Sequence, residues 1–153
     1  MEYYLAQINV ARMLQPLDHP LMHEFVHFLG PINELAERQS GFVWRLKDEE
    51  GISATSVETP FEDDMLIVNM SVWKDLETLR QFVYKTAHSY FVRQGKQWFK
   101  RMDRPHMVLW WVPADHIPTL EEAAEKLEQI QQNGPTPAAF DWSRMYKADG
   151  SRI

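Results

Sequence analysis

Three groups of residues in this chain have the types and spacing to do chemistry. The first is His23-Glu24-Phe25-Val26-His27, an H-E-x-x-H pattern. On a helix it sets two imidazoles at i and i+4 beside a carboxylate, as in zinc metalloproteases. Gly30 extends the match, but Asn33 stands where the longer motif requires a third His. Phe25, Phe28 and Leu29 define the core face of that helix, which leaves the His pair near solvent. The short segment ahead of it supplies no sheet for a substrate cleft. Metal binding through His23 and His27 is therefore a remote reading, and no metal centre is expected.

The second group is a row of amides and a hydroxyl. In Leu5-Ala6-Gln7-Ile8-Asn9-Val10, alternation puts Leu5, Gln7 and Asn9 on one face and Ala6, Ile8 and Val10 on the other. In the strand ending at Trp73, Asn69, Ser71 and Trp73 share a face opposite Val68, Met70 and Val72. With these strands side by side, Gln7, Asn9, Asn69 and Ser71 form one polar row. Burying an amide without a partner costs about 1–3 kcal/mol. The row is either the floor of a ligand pocket or a self-satisfied network that fixes strand register or the dimer.

The third is His88, set among Phe82, Tyr84 and Phe91. An imidazole there could serve as a general acid/base or an axial metal ligand. The alternative is a histidine hydrogen-bonded at an interface. Helical periodicity alone does not aim it at the polar row.

The elements that must position these groups follow from the pattern. A chain of 153 residues, 44% apolar, builds one domain with a real core. The first strand spans about 4–14. Asp18 is placed to cap a helix, with Pro20 in its first turn. That helix carries Leu21, Phe25, Phe28, Leu29, Ile32, Leu35 and Ala36 at helical spacing, with a kink at Pro31. Strand two is 42–46, and a long acidic connection to Asp64 forms an ordered loop or lid. Strand three is 65–73. Asp75 caps a second helical region that runs toward Phe99, in one piece or two. Strand four is 106–112. Pro118-Thr119-Leu120-Glu121-Glu122 opens a third helix with a capping box, and Gly134-Pro135 stops it. The tail, with Phe140, Trp142, Met145 and Tyr146, is an arm across the domain.

The order is β-α-β-β-α-β with an extra C-terminal helix. This is an α+β fold, a ferredoxin-like antiparallel sheet with helices on one face. The domain is 1–153, with its core at about 1–113 and the helix and arm at about 118–153. The other sheet face is expected to be apolar and bare, which predicts a homodimer packed through that face.

Composition excludes several function classes. The formal net charge is −6 with no cationic stripe, which argues against nucleic acid. With no cysteine there is no disulfide, thiolate metal site or cysteine nucleophile. This fits a reducing cytoplasm. No signal peptide or membrane span is expected. No phosphate loop, G-x-S-x-G or dinucleotide fingerprint occurs. Six Trp, eight Phe, five Tyr and eight Met exceed what one small core needs and point to a ligand cavity or a subunit interface.

The opening Leu5-Ala6-Gln7-Ile8-Asn9-Val10-Ala11-Arg12, with Gly41-Phe42-Val43-Trp44-Arg45-Leu46, Met70-Ser71-Val72-Trp73, Phe82-Val83-Tyr84 and His88, and Met107 through Pro113, resembles a bacterial family over nearly the whole chain. It is the domain-of-unknown-function family thirty-two ninety-one. The resemblance implies a dimeric α/β barrel, a superfamily that includes cofactor-free quinone-forming and haem-degrading monooxygenases. It implies an oxygenase-like enzyme acting on a planar aromatic or haem. Asn9 and His88 match the strand-one Asn and helix-two His of the haem-degrading branch. The Trp of that branch is missing, with Phe82 or Tyr84 nearest. On this reading Asn9 and His88 are catalytic, and Gln7, Asn69, Ser71, Trp73, Phe82, Tyr84 and Phe91 bind the ligand. The alternatives are a non-catalytic small-molecule-binding module and a structural dimer.

Overall fold

The computed structural model describes residues 2–47, 65–86 and 92–153. His88, Phe91 and nearly all of the acidic connection lie outside the described residues. The elements in order are β1 (Tyr3–Arg12), α1 (His23–Glu37), β2 (Phe42–Arg45), β3 (Leu66–Trp73), α2 (Leu76–Lys85), β4 (Met107–Pro113) and α3 (Leu120–Asn133). The four strands form one open antiparallel sheet in the order β2-β3-β1-β4. No described helix is long and apolar enough to cross a membrane.

The register follows the alternation. Gln7 pairs with Ser71 and Asn9 with Asn69 across β1 and β3, so the polar row forms at the middle of the sheet. Leu5 lies opposite Trp73 on the same face. Side chains from α1 and α2 cover this face: Ala36, Leu79 and Phe82 pack with Leu5, Trp73 and Leu109.

The other face is not bare. Ala6, Ile8, Val10, Met70, Val72, Val108 and Trp110 are buried against Leu120, Ala123, Leu127 and Ile130 of α3. The stripe of α3 therefore finds its partner surface within the same chain. Glu122 fastens it, since one carboxylate oxygen accepts from Trp110 Nε1–H at 2.8 Å and the other lies 2.6 Å from His116 Nε2. The premise of an open apolar sheet face, on which the dimer was expected, does not hold.

Local capping explains the helix ends. His19, not Asp18, is the side-chain cap here, and it caps the short 3-10 turn at Pro20–Met22 that leads into α1: its Nδ1 accepts from Leu21 N–H at 3.0 Å. Pro31 sits inside α1. Asp75 and Thr78 form a reciprocal capping box at the start of α2. Thr119 caps α3 by accepting from Glu122 N–H, and Gly134, at φ 71°, ends it. Of the helical region expected toward Phe99, α2 spans Leu76–Lys85 and ends there, and residues 87–91 lie outside the described residues. Thr86 is extended, and its hydroxyl donates to the Phe82 carbonyl that another helical turn would have used.

The tail ties to β4. Leu109 and Phe140 exchange both backbone hydrogen bonds, at 2.7 and 2.9 Å. Trp111 Nε1–H donates to the Tyr146 carbonyl at 2.8 Å.

Candidate functional site

Between the polar row and the two helices lies a cavity of about 130 Å³. Its floor is Asn9, Asn69 and Ser71. Strand register puts these three on one face, and their burial is graded. Ser71 is 7% exposed, Asn9 half-buried and Asn69 exposed, so the floor runs from the core to solvent.

The walls are aromatic. Trp73 stacks on Phe82 of α2, with centroids 5.1 Å apart and planes at 25°. Phe42 meets Trp73 edge-on at 5.6 Å. Phe25 of α1 meets Phe99 edge-on at 5.0 Å. Each pair has the geometry that aromatic quadrupoles favour, so the walls hold their shape without a ligand.

The floor is also ordered. Gln7 Nε2–H₂ donates to Asn69 Oδ1 and to Ser71 Oγ, both at 2.8 Å. Asn9 Nδ2–H₂ donates to Gln7 Oε1 at 3.0 Å and to Asn69 Oδ1 at 3.3 Å. Trp73 Nε1–H donates to Ser71 Oγ at 2.8 Å. The burial cost of Gln7 and Ser71 is thus met inside the protein.

The structure brings together Asn9, Asn69, Ser71, Trp73 and Phe82 around the cavity. Gln7, 5% exposed, is the hub behind them and is not among the lining residues. Tyr84 stands away from it, 54% exposed, with its ring against Trp142. His23 and His27 are exposed on α1, and no cluster of three metal-ligating groups occurs among the described residues.

Sequence reasoning missed Phe25, Phe42, Asn33, Phe99 and Arg45, which also line the cavity. Arg45 carried a readable signal: it is the one charged residue in an otherwise apolar strand. It lies opposite Ser71, is 8% exposed, and its Nε–H donates to Glu37 Oε1 at 2.9 Å. Its charge is thereby balanced at the wall.

The lining limits the haem that the resemblance implies. The volume falls well below the roughly 300–1,000 Å³ of drug-sized ligand pockets. None of the described lining residues is a His, Cys, Met or Tyr, the usual axial ligands. They do not fit a haem.

A family model described as "Domain of unknown function (DUF3291)" matches residues 4–153. No curated protein matches the chain. Among solved structures, it is similar to NE2512, a protein of unknown function from Nitrosomonas europaea, at 12% identity and a TM-score of 0.51. That match covers 76% of this chain and 96% of the other. It is also similar to PA3566 from Pseudomonas aeruginosa, at 14% identity and a TM-score of 0.47, over 73% and 94% of the two chains. The first likeness concerns the fold alone.

Proposed function

This chain belongs to the DUF3291 family, and from that premise we propose that it binds a single-ring aromatic compound with a polar substituent. The ring lies between sheet and helices against Trp73 and Phe82. The substituent rests on Asn9, Asn69 and Ser71. One observation carries this reading: a cavity of about 130 Å³ has preformed aromatic walls and a preformed hydrogen-bonding floor. An apolar cavity of about 150 Å³ is enough to hold benzene. Ligand sites of this kind combine apolar walls with a few placed polar groups.

The chemistry that the family resemblance implies is oxygenase-like. Asn9 orients a substrate oxygen, and His88 is the base that takes a phenolic proton, leaving an electron-rich ring open to dioxygen. The homodimer belongs to the same proposal, with α3 rather than bare sheet as the outer layer on its side. The β-α-β-β-α-β order and the strand order β2-β3-β1-β4 support a ferredoxin-like assignment. The lack of cysteine fits a bacterial cytoplasm.

The test is titration of the wild type with single-ring phenols and two-ring analogues, followed by calorimetry, with oxygen uptake recorded in parallel. Saturable binding of the small ring alone, lost in Ser71→Val, is the expected result. Oxygen uptake that His88→Ala removes assigns the chemistry. Binding without uptake leaves a carrier or sensor. No saturable binding by any single-ring compound removes the proposal.

A further inference from the structure

The hydrogen bonds of the floor have a symmetry that bears on what it can recognise. Ser71 Oγ accepts from Gln7 and from Trp73. A serine hydroxyl has two lone pairs and one proton. Both lone pairs are taken, so its O–H is left as a donor. Asn69 Oδ1 accepts twice, from Gln7 and Asn9, which leaves its Nδ2–H₂ as donors. Asn9 has spent its Nδ2–H₂ and keeps Oδ1 as an acceptor. In this state the floor, over Asn69 and Ser71, offers donors.

Turning all three amides by 180° keeps every contact with its direction reversed. Asn9 Oδ1 then accepts from Gln7 and Asn69, and Gln7 Oε1 accepts from Asn69 and from the Ser71 hydroxyl. Trp73, which can only donate, still donates to Ser71 Oγ. No bond of the network is lost. The floor now offers acceptors there: Asn69 Oδ1 and a lone pair of Ser71.

We propose that the Gln7–Asn9–Asn69 amides reverse in concert, so that the site takes either a hydrogen-bond acceptor or a donor over Asn69 and Ser71. This rests on the ligand reading above and deepens it. The ligand class is a single ring whose polar substituent can be a carbonyl-type oxygen or a hydroxyl. Selectivity lies in ring size and substituent position, not in hydrogen-bond polarity. Gln7 is the positioning residue, since it couples Asn9 to both Asn69 and Ser71.

The experiment uses two single-ring probes, pyridine N-oxide as acceptor only and phenol as donor, titrated by NMR into the full chain. The wild type binds both with similar affinity, and the two Gln7 side-chain amide protons shift in a different pattern with each. Asn9→Asp can only accept, so it pins Gln7 and Asn69 in the reversed state. That variant keeps phenol and weakens for pyridine N-oxide by about ten- to a hundredfold. If Asn9→Asp still binds pyridine N-oxide as the wild type does, Asn69 has not turned and the proposal is overturned. If it does not fold, the wild-type Gln7 shifts decide: one common pattern for both probes overturns the proposal, and two patterns support it. Wild type that binds one probe and not the other refutes reversal but leaves the ligand site standing. Binding of neither probe refutes the ligand site itself.

Discussion

Gln7 and Ser71 face each other across the β1–β3 ladder, and Ser71 Oγ takes both the Gln7 Nε2–H and the Trp73 Nε1–H at 2.8 Å. One hydroxyl thus joins a central strand to the aromatic wall of the cavity. Replacing Gln7 by Leu leaves Asn9 and Asn69 each short of a partner inside the sheet. The expected loss is about 1–3 kcal/mol, read from the midpoint of urea unfolding at unchanged slope.

Phe82 is both wall and core. Phe82→Ala removes the ring that stacks on Trp73 and enlarges the cavity toward α2. Stability falls by about 3–5 kcal/mol. On the binding reading, the variant gains two-ring ligands that the wild type excludes. Unfolding curves check the first effect and calorimetry the second.

Gly41 sets how closely α2 approaches β2. A Cβ at this position would overlap the side chain of Thr78, which sits in the α2 capping box. Gly41→Ala has to push the start of α2 away from the sheet, at a cost of about 1–3 kcal/mol. Gly41→Ala/Thr78→Ser, with a smaller side chain at the contact, recovers part of that loss in thermal unfolding.

Glu122 fastens α3 to the sheet through Trp110 and His116. Glu122→Ala strands a buried indole N–H and lowers stability by about 1–3 kcal/mol. If α3 shields the sheet from a second copy, sedimentation velocity of this variant shows more self-association than the wild type. Equal sedimentation places any dimer contact elsewhere.

Much of the site was legible in the chain because strand alternation has a strict period of two. Gln7, Asn9, Asn69 and Ser71 had to share a face once β1 and β3 were neighbours. That their bonds close on one another was not legible, because rotamers and register to within an ångström decide it. The stripe of α3 was readable as Leu120, Ala123, Leu127 and Ile130, yet its docking surface was not. Periodicity marks a face to be buried but not the partner that buries it. Where α2 ends was legible only as one piece or two: apolar spacing continues past Lys85, and it takes the Thr86 hydroxyl on the Phe82 carbonyl to mark the break. Phe25 and Phe99 were missed because only the tertiary fold brings residues so far apart in sequence into ring contact.

The pairing of Phe140 with Leu109 has a bearing on how the protein behaves at high concentration. An unpaired outer strand is a template on which another chain can add. On the β4 side that template is partly consumed by the protein's own later segment, which is anchored in turn by Ile153 N–H to the Met145 carbonyl at 3.1 Å. The opposite edge, β2, is four residues long and broken in register between Phe42 and Trp44, which makes it a poor nucleus for fibrils. The segment around Phe140 therefore works as a stopper against polymerisation, and deleting it puts solubility at risk before the cavity is touched.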